Sequence, residues 1–437
     1  MHKRLFAVCT ALALGTALTV AAQDATPEAT MDMSGLMPDG NIVTVRDQAS
    51  LFGMVTIEQI VMATDGFIAI HSDMNGQPAH VVGIASVPAG THNNLMVMID
   101  GAMSTPRLYA ALHEDTGTIG VFEFEKVPGT DPLVIDVPPQ PFTVGAIVAF
   151  DQQPVADTVT IASVIMPAVG FVVIHADNGG QPGPVIGFAS VGAGTTAPVI
   201  VPIDTAAATP VLFAMLHVDD GQTGVYEFDG ASGLDNPLVI DGVIATRPMN
   251  VTEQPTLLLA NGLPLNSANV PSVSAAEQEL MAMEDAMSGG LMVDAVSAGP
   301  GFVDVHADMG GHPAFSLGHA PVADGENMGV MVPLMPPPLM QAMGMGITPV
   351  VWPMLHSDTD GDGEYRYLQI PGVDLPVVYN GAVVAIPVNV TGAMVAPPMD
   401  IDGMGMGTDA MGNMITPEAT MDMGMDGMMT PEATPGS

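Results

Sequence analysis

The sequence holds a single cysteine, Cys9, and only seven lysines and arginines against 47 aspartates and glutamates. Each shortage removes a class of function. Too few cations remain to displace the counterions of a phosphate backbone, which excludes a nucleic-acid binder. The same shortage argues against docking on anionic lipid. Charged residues are 12% of the chain, about half the usual ~25%. Aromatics are 4%, too few for the stacking platforms of a sugar cleft. No G-x-S-x-G elbow, H-E-x-x-H helix or P-loop occurs. Paired carboxylates are everywhere in so acidic a chain and carry no glycosidase signal.

The N-terminus reads as an export signal. Met1 to Arg4 is a short basic stretch, Leu5 to about Val20 is apolar, and Val20-Ala21-Ala22 puts small residues before Gln23. The expected cleavage follows Ala22 and takes Cys9 with it. The mature chain then has no thiol, so disulfides, a zinc ribbon, a cysteine nucleophile and a type 1 copper site are all excluded. A secreted or cell-surface location follows. No later segment reads as a membrane span: residues 328–355 carry no charge but are interrupted by Pro333, Pro336, Pro337, Pro338, Pro349 and Pro353. They read as a loop followed by a buried strand.

What is present is repetition. With 437 residues the length alone suggests about three domains. "GFIAIHSDMNGQP" at 66–78 recurs as "GFVVIHADNGGQP" at 170–182 and "GFVDVHADMGGHP" at 301–313. "LYAALHEDTGTIGVFEF" at 108–124 recurs as "LFAMLHVDDGQTGVYEF" at 212–228 and "VWPMLHSDTDGDGEYRY" at 351–367. Opening "DQ" dipeptides stand at 47–48 and 151–152, and closing blocks at 131–135, 235–240 and 374–378. The spacing gives a signal at 1–22, a linker at 23–40, modules at 41–145, 146–252 and 271–391, a connection at 253–270 and a tail at 392–437. Segments 24–40 and 392–437 share "TPEATMDM", lack apolar periodicity and are expected to be disordered. Residues 278–288 read as a short helix or a degraded first strand.

Gly 49 and Pro 39 make up about a fifth of the chain, too many breakers for a helical bundle. Within a module, apolar residues alternate with a period of two and turn signals recur at short intervals. This predicts an all-β fold, each module an antiparallel two-sheet sandwich. Asp115-Thr116-Gly117 before "VFEF", and its counterpart at 219–221, read as turns of hairpins.

The pattern of "DQ", "GF(V/I)xIHxD", "LHxD", "YEF" and "D-P" resembles a family of domains of unknown function. These occur, often in tandem, in secreted and cell-surface prokaryotic proteins. The match covers modules 1 and 2 almost fully. In module 3 the opening "DQ" is replaced by Glu277-Gln278 and the loop before His356 is longer. The resemblance implies immunoglobulin-like sandwiches and brings no activity.

The candidate site is a repeated pair of His-x-Asp motifs. These are His71/Asp73 with His113/Asp115, His175/Asp177 with His217/Asp219, and His306/Asp308 with His356/Asp358. Were the two strands neighbours, four side chains would converge, and imidazole with carboxylate binds Zn²⁺ or Cu²⁺. The competing reading is structural: a strand-end histidine pins the turn that follows it. A metal role expects the histidines to line one accessible pocket. A structural role expects them buried and satisfied by backbone. Thirty-six methionines, crowded at 399–429 and at Met335, Met340, Met343 and Met345, offer soft ligands for Cu(I). The alternative there is drift in a low-complexity segment. Asp358, Asp360, Asp362 and Gly363 fit the start of a calcium loop, but position 12 is Gln369, so the segment reads as a hairpin with weak Ca²⁺ binding as the alternative. The leading expectation is a non-enzymatic structural or interaction protein with no resident cofactor and an unknown protein or cell-surface partner. The alternative is copper handling.

Overall fold

The computed structural model describes residues 40–50, 52–124, 126–282, 289–334 and 350–391. The signal, the methionine-rich tail, and Met335, Met340, Met343 and Met345 lie outside the described residues. So does most of 278–288, of which Gln278–Glu279 and Met281–Ala282 are strand.

Strands dominate, and each module is a sandwich. In module 1, Ile42–Thr44, Met54–Met62 and Gly90–Met98 form one sheet. Gln77–Val87, Gly66–Met74, Arg107–Glu114 and Gln140–Val148 form the other. Alternation sorts the second sheet. Ile68, Ile70, Leu108, Ala110 and Leu112 point into the core, where they meet Val55, Ile57 and Ile60 of the first sheet. Modules 2 and 3 repeat this with cores around Val172, Ile174, Leu212 and Leu216, and around Val303, Val305, Val351 and Leu355.

Nearly all pairings are antiparallel. The exceptions among the described residues are the opening segments: Gln48–Ser50 and Gln278–Glu279 run parallel to the closing strands Gln140–Val148 and Val388–Thr391, and Gln152 makes a single parallel bridge to Val251. The glutamine explains the arrangement. The Gln48 amide spans Thr56, accepting from its N–H and donating to its carbonyl. Gln152 does the same with Thr160, and Gln278 with Met292. Gln278 therefore holds the place of the "DQ" glutamine. Asp47 and Asp151 add a bond from the closing strand, accepting from the Thr143 and Asn250 N–H groups.

One expectation fails locally. Residues 121–124, 225–228 and 364–367 are not strands, so no hairpin forms there. Their amides bond a buried carboxylate instead of a neighbouring strand. Asp131 accepts from the N–H of Thr116 and of Glu123, Asp235 from Asp220 and Glu227, and Asp374 from Thr359 and Arg366. Each loop so tied folds its aromatics over the outer face of the second sheet. Phe122 meets Phe67 edge to face at 5.3 Å, Tyr226 meets Phe171 at 5.3 Å, and Tyr365 meets Phe302 at 5.3 Å.

The modules share structure. Strand Gln140–Val148 closes module 1 against Arg107–Ala110 and opens module 2 against Ser163–Ile165. Module 3 touches both others. Asn380 and Gln153 exchange two hydrogen bonds, the Tyr367 hydroxyl donates to Asp100 at 2.6 Å, and the Phe122 N–H donates to the Gln369 carbonyl. Among the described residues no helix is long and apolar enough to cross a membrane.

Candidate functional site

The two histidines of each module lie on the outer face of the second sheet, beneath the aromatic loop. In module 1 His71 stands opposite Tyr109, and His113 opposite Phe67. Between them is the small pair Ala69 and Ala111, over which the two imidazoles reach toward each other. All six histidines are buried, none more than 5% exposed.

Their hydrogen bonds repeat at fixed spacing. His71, His175 and His306 each place Nδ1 on the carbonyl eight residues later, of Ala79, Gly183 and Ala314. His113, His217 and His356 each place Nδ1 at 2.7 Å from the carbonyl eighteen residues later, of Asp131, Asp235 and Asp374. A carbonyl only accepts, so in every case Nδ1 carries the hydrogen.

The Nε2 atoms meet one another. In module 1 they are 3.4 Å apart, with ring centroids at 5.6 Å and planes within 20°. Those values place the rings edge to edge, nitrogen toward nitrogen. The module 2 rings lie at 5.8 Å and 22°, and both Nε2 atoms are buried with no hydrogen-bond partner. Burial pushes His71, His113 and His217 down to about 4, because a charged imidazole loses its water there.

The aspartates do not join them. Asp73, Asp177 and Asp308 share strand parity with the histidine two residues before, but the register shifts at this point in all three modules. A bulge re-aims the side chain. Asp73 accepts from the Tyr109 hydroxyl and the Gly76 N–H, Asp177 from the Gly180 N–H, and Asp308 from the Trp352 indole and the Gly311 N–H. Asp115, Asp219 and Asp358 lie past the strand end and cap the amides of Gly120, Gly224 and Gly361. The expected four-residue convergence is thus reduced to a histidine pair. Neither of the opposed expectations is met in full: the pairs are buried and backbone-anchored at Nδ1, yet in modules 1 and 2 no donor reaches Nε2.

Module 3 adds a group outside the His-x-Asp motifs. Asp304 occupies the position of Ala69 and Val173, between the two histidines. It is fully buried and 3.1 Å from His306 Nε2. Ser316 and Tyr365 donate to its two oxygens at 2.6 and 2.7 Å. Although burial opposes it, the neighbouring His306 and His356 and the Ser316 hydrogen bond hold the carboxyl well below its usual range. His306 is raised: its own burial is outweighed by Asp304. Asp304, His306 and His356 bring three ligand atoms within 4.8 Å of one another. The missed signal was a lone charge in an otherwise apolar repeat strand.

The calcium-like loop is rearranged. Asp358, Asp360 and Asp374 bring oxygens within 4.8 Å. Asp362 instead pairs with Arg366 at 3.3 Å and caps Glu364, while the Gln369 amide donates to the Tyr365 carbonyl. Burial, reinforced by Asp360 and Asp358, pushes Asp374 up to about 6.

A family described as a domain of unknown function, DUF7282, matches residues 41–140, 146–252 and 279–391. The chain belongs to this family. Its three matches fall on the three sandwiches. No curated protein matches the chain. Among solved structures the chain is similar to native alpha-2-macroglobulin of E. coli, at 11% identity and a TM-score of 0.16, over 83% of this chain and 24% of that one. The chain thus spans about a quarter of that protein's length. A crystal structure of the same Escherichia coli protein spanning domains MG0-NIE-MG1 matches at 9% identity and a TM-score of 0.17, over 74% of this chain and 93% of that one.

Proposed function

We propose that this DUF7282 protein is an exported, non-enzymatic structural or interaction protein, a rigid acidic platform that holds a partner at the cell surface. The observation that supports this best is the use of the repeated residues. The glutamines Gln48, Gln152 and Gln278, the carboxylates Asp131, Asp235 and Asp374, and all six histidine Nδ1 atoms bond the backbone of their own module. What recurs builds the sandwich, and what varies is the surface. Rigid sandwiches carry variable loops as binding tips. A formal charge of −40 favours a cationic partner with salt-sensitive association.

The test is made in the native host. Mass spectrometry of the exported chain should find Gln23 at its N-terminus, and deletion of the gene should weaken attachment or envelope integrity. Retention in the cytoplasm with residues 1–22 intact would overturn the export reading. Turnover of any substrate in a broad hydrolase and oxidoreductase panel would overturn the non-enzymatic one.

A further inference from the structure

We propose that the histidine pairs of modules 1 and 2, His71 with His113 and His175 with His217, are two-coordinate sites for a monovalent d¹⁰ cation, Cu(I), one ion in each module. The tautomers carry the argument. Each of the four Nδ1 atoms lies 2.7–2.9 Å from a backbone carbonyl and so bears the hydrogen. A neutral imidazole so bonded leaves Nε2 as a bare lone pair. In module 1 two such lone pairs face each other at 3.4 Å. In module 2 both Nε2 atoms are buried and unpartnered. Two lone pairs held together away from water repel, unless a Lewis acid lies between them. A backbone carbonyl on the far nitrogen is also how a metal-bound histidine is ordinarily oriented.

The surroundings select the ion. A structural zinc site requires four ligands. Among the described residues, modules 1 and 2 bring no third histidine or carboxylate to the pair. The floor between the histidines is Ala69 and Ala111 in module 1 and Val173 and Met215 in module 2, and aromatic rings cover it. Phe124 lies 4.5 Å from the His113 ring, and Phe228 4.9 Å from His217. Two neutral nitrogens in a dry aromatic slot suit a singly charged ion content with two ligands. They leave a dication underligated and uncompensated. Binding needs no proton release, because the lone pairs are already bare.

Module 3 is the built-in contrast. Asp304 stands between its histidines where modules 1 and 2 have Ala69 and Val173, 3.1 Å from His306 Nε2, and the Tyr365 hydroxyl donates to it; Tyr226 of module 2 has the same hydroxyl but no carboxylate to meet. There the slot is occupied by an internal ion pair, and no Cu(I) is expected.

The full-length mature chain, labelled with ¹⁵N-histidine, is titrated with Ag(I) as a redox-inert probe. Excess free methionine is added to compete for thioether sites. The Nε2 resonances of His71, His113, His175 and His217 should shift and show coupling to silver. Those of His306 and His356 should not, and two ions should remain per chain after desalting. Asp304→Ala combined with Tyr365→Phe should raise the count to three. The proposal is overturned if silver perturbs only methionine signals, or if the four Nε2 atoms already bear hydrogens in the silver-free protein. A histidine replacement that fails to fold does not affect this reading, since the first measurement uses the unaltered chain.

Discussion

At the scale of single residues, one buried carboxylate organises each module's loop. Asp131, Asp235 and Asp374 are fully buried and sit at positive φ of 45°, 48° and 51°, a conformation aspartate tolerates better than most residues. Each ties two loop amides and offers its own carbonyl to a histidine. These residues were visible in the closing "D-P" blocks, but their role was not, because a spacing of eighteen residues carries no local period. The buried histidines also set the response to acid. His71, His113, His217 and His356 are pushed down to about 4 by burial, against 6.5 unfolded. Groups so lowered contribute stability that is present above 6.5 and lost as pH falls toward 4. Asp374 works the other way, since its folded value is raised from 3.8 to about 6. His80, His175 and His319 are lowered as well, so on balance unfolding takes up protons as pH falls from 6.5 and the fold should lose stability through that range. Denaturant titrations from pH 7 to pH 4 measure this directly, and a pH-independent stability would refute it.

At the scale of elements, the first glycine of each "GF" motif decides how closely two strands approach. A Cβ at Gly66, Gly170 or Gly301 would lie 2.2, 2.1 or 2.2 Å from the carbonyl oxygen of His113, His217 or His356. That carbonyl belongs to the paired strand and has no room to retreat. Gly170→Ala should force the strands apart and cost several kcal/mol, more than the ~1–3 kcal/mol of ordinary overpacking. Calorimetry of the variant should show a clearly lowered melting transition. An unchanged profile would mean that the strands yield. The strand alternation itself was legible, since Phe67, Ala69 and His71 fall on one face and Ile68 and Ile70 on the other. The bulge after each histidine was not. It arises from the pairing of Gly66–Met74 with Gln77–Val87, and a single strand's residues do not report its partner's register.

At the scale of the molecule, three sandwiches pack against one another through a shared strand, through apolar contacts such as Phe150 and Ala162 with Val378 and His80 with Phe315, and through a few polar contacts. The contact between Tyr367 and Asp100 joins module 3 to module 1 and is available only because Tyr367 replaces Phe124 and Phe228 of the other modules. Tyr367→Phe should cost the interface about 1.5–3 kcal/mol, as expected for a hydrogen bond to a charged group. Hydrogen exchange should then quicken at the Phe122 amide, which bonds Gln369 across the same junction, with no change in the strand cores. Equal exchange in the two proteins would show that the junction rests on other contacts.

The triplicate sandwich was determined by the sequence alone. Period-two alternation, glycine-rich turns and three copies of one motif are local properties, and they suit an antiparallel sandwich that hides one apolar face of each sheet. The partition of each His-x-Asp motif was decided only by the tertiary structure. Where a side chain points after a bulge, which carbonyl meets a ring nitrogen eight or eighteen residues away, and what stands between two imidazoles all depend on strand pairing. Asp304 illustrates the division: one unusual letter in an apolar strand, whose meaning as an internal counter-ion exists only once His306 and His356 are brought to either side of it.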